Sequence, residues 1–217
     1  AGFSFNDFRD PKIFRNPDGS YGCIVGNRTE DGSGALLIYR SEDGFDWKFQ
    51  SILDRSYNEF GRMWECPDTF RLDGQDVILT SPQDMCALGL EFHSGNGTLA
   101  LLGQIEDGKF LRDNVQAIDY GLDFYAPQTL ETEDGRRIMI AWMQNWDTTG
   151  GCPQGAKWFG QMTTPRELTI RDGRLLQNPV RELEAFRGRR VAYKNVAVNE
   201  EVSLTGGYGR VLDMTVT

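Results

Sequence analysis

Trp64-Glu65-Cys66-Pro67-Asp68-Thr69-Phe70, followed by Asp73-Gly74 and the apolar run Val77-Ile78-Leu79-Thr80, decides how this chain reads. An Asp-Gly pair between two strand-length runs specifies a tight hairpin, because both central residues of such a turn take positive φ. The unit recurs. Asp10-Pro11-Lys12-Ile13-Phe14 leads into Asp18-Gly19, Ala126-Pro127-Gln128-Thr129-Leu130 into Asp134-Gly135, and Thr164-Pro165-Arg166-Glu167-Leu168 into Asp172-Gly173. Successive prolines of the repeat lie 56, 60 and 38 residues apart. Four short strands repeating every ~40–60 residues are the mark of a β-propeller blade, and proline is tolerated at the first residue of a strand, where no ladder donor is needed. The four repeats predict four blades before about residue 180.

Outward from the repeat, further strands are predicted at 21–25, 35–39, 98–102 and 137–143, with one short helical stretch at 179–187. Ser41-Glu42-Asp43-Gly44-Phe45-Asp46-Trp47 reads as a blade turn in which Trp47 packs against the sheet. Beyond residue 187 the period breaks, and 191–198 and 210–217 read as strands of something new. The expectation is an all-β chain, with a propeller over 1–185 and a second unit over 186–217.

Composition narrows the function. The 217 residues carry 23 Lys and Arg against 32 Asp and Glu, a net charge of −9, which argues against a nucleic-acid partner because phosphate binding needs a cationic face. No run of about 18 apolar residues occurs, so no membrane span is expected. Residues 1–6 match neither a signal peptide nor a start at Met, so residue 1 reads as an internal cut. The four cysteines, Cys23, Cys66, Cys86 and Cys152, form no Cys-x-x-Cys pair, which argues against a zinc site. Four reduced thiols suit a cytoplasmic protein, while one or two bridges in a secreted protein remain the alternative. One histidine, His93, excludes a histidine metal cluster. Chemistry is therefore expected to run on carboxylates, with no cofactor and no metal ion.

In a propeller the first strand of each blade lines the central channel, so equivalent positions converge on one axis. The residue two before the repeat proline is Arg9, Glu65, Tyr125 or Thr163, and the residue one before is Asp10, Cys66, Ala126 or Thr164. The repeat thus predicts Arg9, Asp10, Glu65 and Tyr125 around one funnel. Two carboxyl groups sharing a concave site suit glycosidic bond cleavage, which needs one protonated and one ionised. A carboxylate before proline can equally cap a strand end, and the seven Asp-Gly aspartates read as solvated turns.

Phe8-Arg9-Asp10-Pro11, Trp64-Glu65-Cys66-Pro67-Asp68 and Asp123-Phe124-Tyr125-Ala126-Pro127-Gln128 resemble, in order, three motifs of the invertase-type β-fructofuranosidases, glycoside hydrolase family 32. Ala141-Trp142-Met143-Gln144-Asn145-Trp146, Pro165-Arg166-Glu167-Leu168 and Pro179-Val180-Arg181-Glu182-Leu183 extend the similarity to about residues 8–190. The resemblance implies a five-bladed propeller followed by a β-sandwich, and hydrolysis of sucrose, sucrose 6-phosphate or fructans with retention. It implies Glu65 as general acid/base, Asp10 as transition-state stabiliser on fructose hydroxyls, and Arg9 pairing with both carboxylates. Asp123 and Tyr125 would flank the leaving group. Trp146 would contact the sugar, with core packing as the alternative. The family's nucleophile belongs to an Asn-Asp-Pro-Asn motif on the first blade. Here only Asn6-Asp7-Phe8 precedes Arg9, so the nucleophile and most of the first blade are expected outside this chain. Two rival readings stand beside this one: a non-catalytic carbohydrate-binding propeller, and an inverting arabinan or xylan glycosidase.

Overall fold

The computed structural model describes residues 2–217, so residue 1 of the expected first domain lies outside it. It contains three four-stranded antiparallel meanders, each laid down in chain order. The first blade comprises β1 (Arg9–Arg15), β2 (Tyr21–Arg28), β3 (Gly34–Ser41) and β4 (Lys48–Arg55). The second comprises β5 (Met63–Leu72), β6 (Gln75–Gln83), β7 (Leu99–Glu106) and β8 (Lys109–Ala117). The third comprises β9 (Tyr125–Glu131), β10 (Arg137–Trp142), β11 (Arg166–Arg171) and β12 (Arg174–Pro179). Two 3-10 turns, Thr149–Gly151 and Arg181–Phe186, are the helical elements among the described residues. None of these is long and apolar enough to cross a membrane.

Asp73-Gly74, Asp107-Gly108 and Asp172-Gly173 form two-residue hairpin turns with both φ values positive, closing β5–β6, β7–β8 and β11–β12. The other Asp-Gly pairs sit in longer loops where the glycine alone takes positive φ. Three blades, not four, occupy the repeat region. Pro165 immediately precedes β11, the third strand of the third blade, and opens no blade of its own. The interval of 38 residues back to Pro127 is two strands and a long irregular segment, too short for a blade. The strands expected at 191–198 and 210–217 are also absent. No strand is described after Pro179, and residues 187–217 join none of the three sheets.

The middle blade is apolar on both faces, which explains its unbroken hydrophobic runs. Successive side chains along a strand point to opposite faces. Ile78, Leu99 and Leu101 accordingly pack with Ile24, Leu36 and Leu53 of the first blade. Val77, Leu79, Ala100 and Leu102 pack with Met139, Ala141, Leu168 and Leu175 of the third. Polar ties reinforce both junctions: Arg112 grips Asp54 through two bonds of 2.7 and 2.9 Å, and the Gln116 side chain pairs with the Leu175 backbone at 2.9 and 3.0 Å. Trp64 is fully buried between the first two blades. Its seat needs glycine, since a Cβ at Gly26 would lie 2.4 Å from the Trp64 carbonyl oxygen and one at Gly34 2.6 Å from its ring. That close approach fixes the residue immediately before Glu65. Trp47 does pack on the outer face of the first blade, with Cys23, Val25 and Leu37.

Candidate active site

The inner strand of every blade carries the same defect. Between Arg9 and Lys12, three residues of β1 advance against two of β2, from Gly26 to Ile24. Glu65 to Asp68 against Ser81 to Leu79, and Tyr125 to Gln128 against Trp142 to Ile140, repeat the offset. Each is a β-bulge, with one extra residue in the inner strand. The residue before the proline is left-handed in all three, with φ of 58° at Asp10, 47° at Cys66 and 51° at Ala126. The repeat prolines therefore stand at bulges, the third residue of β1 and of β9 and the fifth of β5, rather than at strand starts. A bulge is where a ladder donor is dispensable, so proline fits. Non-glycine residues in this conformation cost about 1–2 kcal/mol each, strain typical of functional sites.

The bulges aim Arg9, Glu65 and Tyr125 at one point. Glu65 is 6% exposed, and four donors converge on its carboxylate. Arg9 Nε donates to Oε1 at 2.8 Å. The Tyr125 hydroxyl, Gln83 Nε2 and Trp146 Nε1 reach Oε2 at 2.8, 3.0 and 3.0 Å. Burial pushes the Tyr125 hydroxyl far above its ordinary pKa, and the adjacent Glu65 pushes it further, so it stays a donor. Burial works against the Arg9 charge, but its bonds to Glu65 and Asp7 outweigh that and raise its pKa.

Asp10 stands alongside, on the next strand position. Its Oδ2 accepts the Cys66 backbone N–H at 3.0 Å and the Cys66 thiol at 3.6 Å. Arg9 does not pair with Asp10 as the sequence led us to expect. Its second carboxylate partner is Asp7, 3.2 Å from Nη1. The left-handed turn at Asp10 points consecutive side chains apart, one toward Glu65 and one toward the Cys66 peptide.

Trp146 is not core packing: it is 53% exposed, on the irregular segment after β10, edge-on to Tyr125 and Trp142. Asp147 ties that segment to the middle blade through the Asn96 side chain, at 2.8 Å. Asp123 is exposed and accepts the Thr148 hydroxyl at 2.7 Å, without a bond to the Glu65 cluster. Sequence reasoning missed Gln83 and Asp7. Gln83 lies on β6 outside the repeat and carries no signal, whereas Asp7 falls two residues before Arg9.

Cys66 reports on the site electrostatically. Burial, then the charges of Asp10 and Glu65, push its thiol pKa up to about 12, so at pH 8 only about one molecule in 10⁴ is thiolate. Cys66 should therefore resist iodoacetamide at pH 8 under conditions that label the exposed Cys86 and Cys152, as read by peptide mass mapping. Equal labelling of all three would contradict this environment.

Comparison with known proteins locates similar chains. The family model described as the glycosyl hydrolases family 32 N-terminal domain matches residues 2–179. A raffinose invertase of Escherichia coli is 41% identical over 182 residues, covering 83% of this chain and 38% of that protein. A probable sucrose-6-phosphate hydrolase of Psychromonas ingrahamii is 42% identical over 180 residues, covering 82% of this chain and 33% of that protein. Among solved structures, a mutant Bombyx mori GH32 beta-fructofuranosidase in complex with sucrose superposes with a TM-score of 0.77 at 35% identity, covering 86% of this chain and 40% of that one. The chain thus spans two fifths or less of the length of these relatives.

Proposed function

Because the chain belongs to the glycosyl hydrolases of family 32, we propose that the protein carrying it hydrolyses terminal β-D-fructofuranosides, of the sucrose type, with retention. Its three sheets are consecutive blades of that family's five-bladed propeller. The observation that carries the proposal is the buried Glu65 carboxyl, met by donors from all three blades, with Asp10 on the neighbouring bulge.

Glu65 acts first as acid, passing a proton to the glycosidic oxygen as the bond from fructose C2 to that oxygen breaks. An attacking carboxylate takes C2 and holds fructose covalently. Retention requires that group about 5–5.5 Å from the acid/base, and we assign it to a segment outside these residues. Glu65, now ionised, removes a proton from water, whose oxygen displaces the carboxylate and releases fructose. Asp10 holds fructose hydroxyls and offsets positive charge growing on the ring. Arg9 orients the Glu65 carboxyl. Trp146 contacts the sugar, and Tyr125 flanks the leaving-group side, with Asp123 further out. Residues 1–185 are the propeller portion by this reading, and 186–217 approach a second, sandwich domain. The four unpaired thiols support a reducing, cytoplasmic setting.

The test is stereochemical. The full-length protein, given sucrose, should release fructose and glucose in equal amounts, the fructose emerging first as the β-furanose by time-resolved NMR. Initial α-furanose would mean inversion, and binding without release would favour a carbohydrate-binding module.

A further inference from the structure

A second polar layer, which the proposed chemistry does not use, lies beside the Glu65 cluster. It is built from the residue after each repeat proline: Lys12 on β1, Asp68 on β5 and Gln128 on β9. Lys12 Nζ donates to Gln128 Oε1 at 2.9 Å, to the Thr129 carbonyl oxygen at 3.1 Å and to Asp68 Oδ2 at 3.4 Å. Asp68, only 1% exposed, also accepts the Thr129 N–H and hydroxyl, both at 2.7 Å. Gln128 Nε2 then donates to the Cys66 carbonyl oxygen at 3.2 Å.

That last bond lands beside the acid/base candidate. Cys66 is the left-handed residue that follows Glu65, and its N–H is held by Asp10 from the first blade. Its carbonyl is held by Gln128 from the third. A strained backbone persists only where its surroundings over-determine it. Here two blades grip the bulge peptide from both sides. The grip depends on which end of the Gln128 amide faces Cys66. A side-chain amide offers donors at one end and an acceptor at the other. The Lys12 ammonium, with no acceptor of its own, pins the oxygen end and leaves the NH2 for Cys66. Asp68 in turn holds Lys12.

We propose that Gln128 is a positioning residue for Glu65, acting through the Cys66 carbonyl, with Lys12 and Asp68 fixing the orientation of its amide. The inference rests on reading Glu65 as the acid/base. Loosening the bulge lets the carboxyl drift from the glycosidic oxygen, and a displacement of about 1 Å can cost about 10²-fold in rate. Proton transfer should suffer most, because Lys12, Asp68 and Gln128 make no bond to Asp10 and meet it only through the Cys66 peptide, whose other end Gln128 holds.

The test uses the full-length protein with two variants. Gln128→Glu keeps the size and the Lys12 partner but turns an acceptor toward the Cys66 carbonyl. Gln128→Met keeps the length and removes both bonds. Each is assayed on sucrose and on an aryl β-D-fructofuranoside with an activated leaving group, which needs little protonation. We expect kcat/KM on sucrose to fall by about 10–100-fold and on the aryl fructoside by less than about 3-fold. Lys12→Met, which frees the amide to turn over, should show the same split more weakly, and it carries the test if a Gln128 variant fails to fold. An equal loss on both substrates, or none on either, overturns the proposal, since a purely structural role lowers the active fraction for every substrate alike. Glu65→Gln run in parallel separates the two readings. If it shows the split and the Gln128 and Lys12 variants do not, this inference alone fails. If it shows none, the acid/base reading fails with it.

Discussion

Glu65→Gln in the full-length protein is expected to lower kcat/KM on sucrose by about 10²–10⁴-fold, the range that general acid–base catalysis contributes. The substitution retains size and one acceptor oxygen, which can keep the donors of Gln83, Tyr125 and Trp146, while its NH2 end loses the bond from Arg9; with the shape unchanged the fold should persist. It removes the proton that the glycosidic oxygen needs. On an aryl fructoside with a good leaving group the first step should proceed with a much smaller loss, and the covalent intermediate should accumulate because no base activates water. Azide should then restore turnover by forming a fructosyl azide, since an anionic nucleophile needs no proton removed. Near-normal kcat/KM on sucrose would show that Glu65 is not the acid/base and would move the balance toward a binding module.

Asp10→Asn is expected to act differently, lowering kcat/KM by about 10²–10³-fold on both kinds of substrate. The asparagine oxygen can still accept the Cys66 N–H, which Asp10 now accepts at 3.0 Å, so the bulge should hold. The loss falls on the negative charge that opposes the developing positive charge of the fructosyl ring. That charge develops whatever the leaving group, so the substrate dependence seen with Glu65→Gln should be absent and azide should not help. A loss confined to sucrose would give Asp10 the proton-transfer role instead. Loss of thermal stability without loss of rate would reduce it to the strand-capping role that the sequence left open.

Much of this architecture was legible before any coordinates. Asp-Gly pairs between apolar runs announced hairpins because positive φ at both turn residues is a local property, and Asp73-Gly74, Asp107-Gly108 and Asp172-Gly173 adopt it. The intervals of 56 and 60 residues between prolines marked true blades. The interval of 38 did not, because a proline before an apolar run looks the same ahead of an inner strand as ahead of a third strand. What distinguishes them is the bulge, which has no composition signature of its own. The segments 191–198 and 210–217 failed as strands for a related reason: an apolar pattern permits a strand, but a strand exists only with a partner edge.

The sequence by itself determined which residues stand at equivalent places in the repeat: Arg9, Glu65 and Tyr125 in one layer, Lys12, Asp68 and Gln128 in another. Tertiary structure alone decided who touches whom. Arg9 turned to Glu65 and Asp7 and away from Asp10, Gln83 joined the cluster from outside the repeat, Trp146 swung its indole N–H onto Glu65, and Asp123 stayed out at Thr148. The reason is geometric. Periodicity places a residue along its own strand to within one position, whereas a hydrogen bond is won or lost over less than an ångström. That last distance is set by three left-handed bulges, at Asp10, Cys66 and Ala126; Asp10 and Gln128 hold the Cys66 peptide from the two neighbouring blades, and Ser81 holds the Ala126 N–H from the middle one.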